Sequence, residues 1–348
     1  MDKLSFNSTE YTLNIPKSRL RVAVRRYQPA QGVSRPKHSD IAIVMTHGVS
    51  FLKELWEPTI AHIIHLQSSQ VSPFSIRDIW TLDCPSHGQS ASLNDEVCSQ
   101  RNITFTDYGD AILALLASNL VSQTIPLVGI GHSFGSPALL FAEKHRRQFS
   151  SPSILPDRFS KSLYEILIML EPPMLSPALE EKYDFFHPNL VKFVHARRRT
   201  WRSLTEAQND IHTKRPWNAW DPRVRTLFAT YGLRTSPLQN ETTVLCCAEA
   251  QEEAAYSLVE EAESLEILSE VCSTTPTQVH TIFGSIRDLA PGPDVQPNIT
   301  DPRQGRRMAS VSRIEDVGHM APFQRPEACA EAIYSILCRS FNNSDSKL

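Results

Sequence analysis

The chain has 348 residues, of which 41% are hydrophobic and 21% charged, proportions ordinary for a globular protein rather than a disordered or fibrous one. With 35 Lys plus Arg against 38 Asp plus Glu, the net charge of −3 makes no electrostatic case for binding nucleic acid. No apolar run approaches the length of a membrane span, so no transmembrane segment is expected, and the length suits one large α/β core carrying an insertion.

In chain order, Met1 to Asn7 lacks the apolar segment of a signal peptide. Apolar and polar residues alternate between positions 11 and 28 (Leu20, Val22, Val24), which predicts an opening antiparallel pair. Ile41 to Met45 is a continuous apolar strand of the buried, parallel type, followed by the loop Thr46-His47-Gly48-Val49-Ser50. Ile79 to Leu82 is another, leading into Asp83 to Ser90, read as a structural turn beside a pocket. Tyr108 to Leu120 has helical spacing. Ile125 to Ile130 reads as a strand and Ser136 to Gln148 as a helix, and Ile166 to Leu170 follows as a further strand.

Between Glu171 and about Thr275 the strand–helix alternation stops. This stretch holds Arg197-Arg198-Arg199, Trp201, Trp217, Trp220 and a charged helix-like segment from Ala248 to Ser269. Its size predicts a lid over an active site, with the tryptophans as an apolar substrate wall. The arginine run reads as a solvated or acid-paired helical face rather than an anion site. Val279 to Phe283 and Val311 to Val317 are expected strands, and Pro326 to Phe341 a closing helix. The expected organisation is therefore a core over 1–170, a cap or lid over 171–275, the rest of the core over 276–341, and a targeting tail over 342–348. Alternating strands and helices make the fold class α/β, with a mainly parallel sheet.

The chemistry centres on Gly131-His132-Ser133-Phe134-Gly135. A G-x-S-x-G pentapeptide between a strand and a helix places the serine on a sharp, strained turn. A Cβ two positions before or after it would strike the neighbouring strand or helix. A serine hydroxyl needs a base, and the base needs an orienting acid. His319, in Gly318-His319-Met320, follows the last expected strand and so lies on a loop at the end where the serine opens. The acid is expected from Asp288, just past the penultimate strand, with Glu171 as the alternative directly after Leu170. Phe134 N–H and Val49 N–H are the expected oxyanion donors. His47 is read as structural. These groups complete the chemistry, so no metal or organic cofactor is expected.

Seven cysteines without C-x-x-C spacing read as reduced thiols of an intracellular protein. The chain finishes Ser346-Lys347-Leu348 on a polar tail, the tripeptide read by the peroxisomal import receptor, so peroxisomal localisation is expected.

Together these motifs resemble the α/β-hydrolase superfamily across nearly the whole chain. The resemblance implies an α/β-hydrolase fold with flanking helices and a helical cap insertion. The elbow, Glu171-Pro172-Pro173, the stretch Ala196 to Trp201, Trp220 to Arg223, Tyr231 to Arg234 and the C-terminal tripeptide are similar to fungal peroxisomal hydrolases, including those of host-selective (AK-toxin-type) toxin biosynthesis. That likeness implies a serine hydrolase acting on an ester or thioester of an apolar acyl chain, in the making of a toxin moiety. The alternatives are an acyltransferase on the same triad and a non-catalytic member that binds a lipid or a partner.

Overall fold

Continuous apolar runs with both faces hydrophobic become the centre of the sheet. In the computed structural model, which describes residues 6–16, 18–30, 40–69, 71–149, 157–236, 242–257 and 261–344, the first strands are β1 (Phe6–Asn14), β2 (Arg21–Pro29), β3 (Asp40–Thr46) and β4 (Ser75–Leu82). They are followed by β5 (Leu127–His132) and β6 (Ile166–Leu170). The insertion contributes β7 (Thr200–Trp201), β8 (Leu233–Thr235) and β9 (Thr243–Leu245), and the core closes with β10 (Gln278–Gly284) and β11 (Ser310–Ile314). The main sheet has eight strands in the order β1-β2-β4-β3-β5-β6-β10-β11. The β1/β2 and β2/β4 pairings are antiparallel and all the others parallel. The mainly parallel α/β sheet expected from the alternation is present.

Successive residues of β3 take opposite faces, as strand geometry requires. Ile41, Ile43 and Met45 join one core with Ile60, Ile63 and Ile64 of α1 (Glu57–Ser69), while Ala42 and Val44 join the other. That second face is covered by α2 (Phe105–Ala117) and α3 (Gly135–Phe149). The sequence reading places the start of α2 three residues late. Thr104 caps the helix, accepting from Asp107 N–H while the Asp107 carboxylate takes the Thr104 N–H.

The insertion between β6 and β10 holds α4 (Phe186–Ala196), α5 (Leu204–Thr213), α6 (Pro222–Tyr231), α7 (Glu249–Ala255), α8 (Glu261–Thr274) and the small antiparallel sheet β7-β9-β8. Two expectations about it need correction. Ala248 to Ser269 is not one helix, since α7 ends at Ala255 and α8 begins at Glu261. Trp201, Trp217 and Trp220 do not wall a substrate cavity. They pack with Phe228 of the insertion and with Phe51 and Phe323 of the main domain into a shared apolar cluster, because an insertion of this size must bury apolar surface to hold its shape. Arg197 to Arg199 is acid-paired, but on a loop: Arg197 and Arg199 both meet the buried Glu252, and Arg198 meets Glu206 and Asp210.

Sheet order fixes where a site can form. From β3 the chain steps outward to β4 and then returns to the other side for β5. Ligand crevices form outside the carboxyl ends of strands at such a reversal. The loops after β3, β5, β6, β10 and β11 all open at that edge.

Candidate active site

Ser133 follows β5 with φ +49°, the left-handed region that non-glycine residues seldom adopt. The flanking glycines make this turn possible. A Cβ on Gly135 would lie 2.7 Å from the Thr46 carbonyl, and one on Gly131 would lie 2.7 Å from the first turn of α3. Strand β3 and helix α3 thus pinch the elbow from both sides. Ser133 N–H donates to Leu170 O at 2.9 Å, tying the apex to the end of β6.

His319 lies on the loop after β11, and its Nε2 is 2.9 Å from Ser133 Oγ. Both side chains are buried. With Nε2 as acceptor of the serine proton, Nδ1 carries its own proton and needs a partner on the far side. That partner is Glu171, whose Oε2 lies 3.4 Å from Nδ1. Its other oxygen, Oε1, accepts the Gly284 N–H at 2.6 Å, so the carboxylate is aimed by the end of β10. Glu171 also sits at φ +48°, and its N–H donates to Ile282 O at 2.9 Å. A carboxylate held by backbone on a strained residue is pre-organised before any substrate arrives.

Asp288, expected to face the imidazole, does not. Its Oδ1 accepts the backbone N–H of His319 at 2.8 Å, and the residue as a whole is exposed. Among the described residues it forms no ion pair with the ring. Its carboxylate lies where a Cβ on Gly318 would be, at 2.2 Å, so it braces the loop rather than the side chain. The physical reason is direction: the β10 loop meets the His319 loop from its backbone side, whereas β6, lodged between β5 and β10, ends beneath the ring.

A residue that sequence reasoning does not single out completes the support. His132 Nε2–H donates to the His319 carbonyl at 2.8 Å from a fully buried position. Burial, reinforced by the nearby His319, holds its pKa well below the usual histidine value, so the ring is neutral and Nε2 keeps its proton. The histidine is visible inside the pentapeptide, but only the folded chain brings the His319 loop over it.

Val49 and Phe134 both border the cavity above Ser133. Among the described residues neither backbone N–H has an acceptor. Gly48 makes the approach possible, since a Cβ there would lie 2.9 Å from Ser133 Cβ. His47 is structural as expected: Nδ1–H donates to Gly48 O at 2.8 Å, and Nε2 accepts Cys84 N–H at 3.1 Å.

The cavity encloses about 650 Å³ with its open mouth included. Pro172, Met174, Leu175, Phe186, Leu190 and Phe283 give it an apolar wall, and Phe186 and Leu190 bring α4 to the same cavity as Ser133. No cluster of His, Cys, Asp or Glu suited to a metal ion occurs among the described residues, and all seven cysteines are free thiols. No described helix is long and apolar enough to cross a membrane.

Residues 43–332 match the alpha/beta hydrolase family. Two curated relatives are the type I acyl-CoA thioesterases mpaH and mpaH' of Penicillium brevicompactum. The first is 30% identical over 189 residues, 54% of this chain and 39% of that protein; the second is 32% identical over 157 residues, 45% and 33% respectively. The matched segment thus spans well under half the length of these relatives. Among solved structures, the peroxisomal alpha-beta-hydrolase Lpx1 of Saccharomyces cerevisiae superposes with a TM-score of 0.71 at 16% identity, over 98% of this chain and 90% of that one. A thioesterase domain from the curacin biosynthetic pathway gives 0.58 at 14% identity, over 95% and 99%. At such identities these structures speak for the fold, while the family match covers most of the sequence. The chain belongs to the alpha/beta hydrolase family.

Proposed function

We propose that this hydrolase is a thioesterase that cleaves an acyl-CoA-type thioester of an apolar acyl chain, with Ser133 as nucleophile, His319 as base and Glu171 as the orienting acid. The observation that carries the reading is the 2.9 Å contact of Ser133 Oγ with His319 Nε2 at the floor of an apolar cavity. In this mechanism Oγ attacks the thioester carbonyl as its proton passes to Nε2. The N–H groups of Phe134 and Val49 receive the oxyanion. Collapse breaks the carbon–sulfur bond, and the departing thiolate takes the proton from Nε2. Water then gives a proton to Nε2 and attacks the acyl-serine. The proton returns to Oγ as the free acid leaves.

The apolar wall supports an acyl chain over a polar substrate, and the partial matches to acyl-CoA thioesterases support sulfur over oxygen at the scissile bond. Ser346-Lys347-Leu348, which lies outside the described residues, supports peroxisomal import. The resemblance to hydrolases of toxin clusters supports a role in releasing the acyl part of a secondary metabolite. The test is a screen of acyl-CoA thioesters against matched p-nitrophenyl esters, followed by thiol or phenol release. Higher kcat/KM on the thioesters is expected. Turnover of the esters alone would replace the thioesterase reading with an esterase one.

A further inference from the structure

Of the polar side chains at the cavity wall that the mechanism leaves unused (His187, Tyr256 and Gln296), Gln296 has a buried polar atom without a partner among the described residues. Gln296 lies on α9 (Val295–Ile299), where Val295, Gln296 and Ile299 face the same cavity as Ser133. The side chain is only 4% exposed, and its Oε1 is buried without a hydrogen-bond partner among the described residues. Its surroundings are apolar, with Met174, Leu175, Val295 and Ile299 all buried. The other polar groups at the wall are engaged: Ser133, His319 and Glu171 with one another, Tyr256 with Ser50, and His187 with its own neighbours.

A buried amide oxygen without a partner is disfavoured, since more than nine in ten buried polar groups are hydrogen-bonded. At the wall of a substrate cavity the missing partner can belong to the substrate. An amide offers both a donor and an acceptor, and rotation about its last bond exchanges the two. No lysine or arginine lines the cavity, and Glu171 supplies negative charge, so a second carboxylate on the chain is disfavoured there. An uncharged group that donates and accepts, a hydroxyl, fits both constraints.

We propose that Gln296 is a specificity-determining residue that recognises a hydroxyl group carried on the acyl chain, making hydroxylated acyl thioesters the preferred substrate class. The proposal rests on the thioesterase reading above.

The test compares decanoyl-CoA with a set of positional hydroxydecanoyl-CoA isomers, using wild type, Gln296→Leu and Gln296→Met. Wild type should favour at least one hydroxylated isomer over the plain chain by roughly tenfold or more in kcat/KM. Both variants should lose that preference, and the leucine variant should reverse it. A parallel measurement keeps the two readings separable: calorimetric binding of decanoic acid and of the same hydroxydecanoic acids to Ser133→Ala protein, with and without the Gln296 substitutions. Absence of turnover on every thioester would count against the thioesterase reading, while the binding series would still decide the role of Gln296. A wild type that favours the plain chain over every isomer in both assays, or a preference that survives in both variants, overturns the proposal.

Discussion

Replacing Glu171 by Gln should cost far more activity than replacing Asp288 by Asn, and the hydrogen bonds say why. Glutamine keeps the shape of the side chain but can offer only one acceptor. If its oxygen stays on the Gly284 N–H, its NH₂ faces Nδ1–H, donor against donor. The imidazole then relieves the clash by moving its proton to Nε2, where it can no longer accept from Ser133. If the amide turns over, the clash moves to Gly284 instead. The charge is lost either way. At an effective dielectric constant of about 20, a carboxylate 3.4 Å from an imidazolium stabilises it by about 5 kcal/mol, part of which surrounding water and dipoles recover. A loss of roughly 10²–10⁴-fold in kcat follows, with KM little changed, because the imidazolium exists only as the serine attacks. Asp288→Asn retains an oxygen that can accept the His319 N–H, so a drop of less than about tenfold is expected. Steady-state hydrolysis of one thioester by the purified variants is the assay, with circular dichroism to check folding. An Asp288→Asn loss equal to or larger than that of Glu171→Gln would refute this assignment.

Gly135→Ala should lower the urea midpoint by an amount equivalent to about 1–3 kcal/mol, because its methyl would meet the Thr46 backbone of a central strand; an unchanged midpoint would mean the elbow is looser than its contacts imply. Acidification should destabilise the fold. Burial lowers the pKa values of His47, His87 and His132, and pushes His280 down to about 4. Below the unfolded value of 6.5 the unfolded chain binds protons that the native chain refuses, so stability is lost as pH falls below about 6.5, with His280 contributing at most about 1.4 kcal/mol per pH unit until its own value of about 4 is reached. Urea titrations across that range check the slope, and a midpoint that rises on acidification would contradict it. Removing Ser346 to Leu348 should leave hydrolysis in vitro intact while a tagged protein moves from peroxisomes to cytosol; continued co-localisation would mean another signal carries it.

The elbow was legible because its constraint is local: two glycines, a serine, an apolar run before and a helix after. His319 was legible from its place between the last strand and the closing helix. Which carboxylate meets the imidazole was not, for a reason of geometry. Both Glu171 and Asp288 follow strands that end at the catalytic edge, and their linear positions do not say that one reaches the ring and the other the backbone. That depends on β6 lying between β5 and β10. The three tryptophans marked the insertion as structured, yet composition carries no information about which way an aromatic faces. Strands as short as β7, β8 and β9 fall below any detectable period. Helix α1 escapes the sequence reading altogether, although Ile60, Ile63 and Ile64 carry helical spacing and its burial follows that pattern.

The central claim is that Ser133 is an activated nucleophile. Treating the purified protein with a fluorophosphonate probe, then mapping the modified peptide by mass spectrometry, tests it most directly. Stoichiometric modification at Ser133, abolished in Ser133→Ala and strongly slowed in His319→Ala, is the expected result. A folded wild-type protein that resists the probe, or carries it on another serine, would contradict the account.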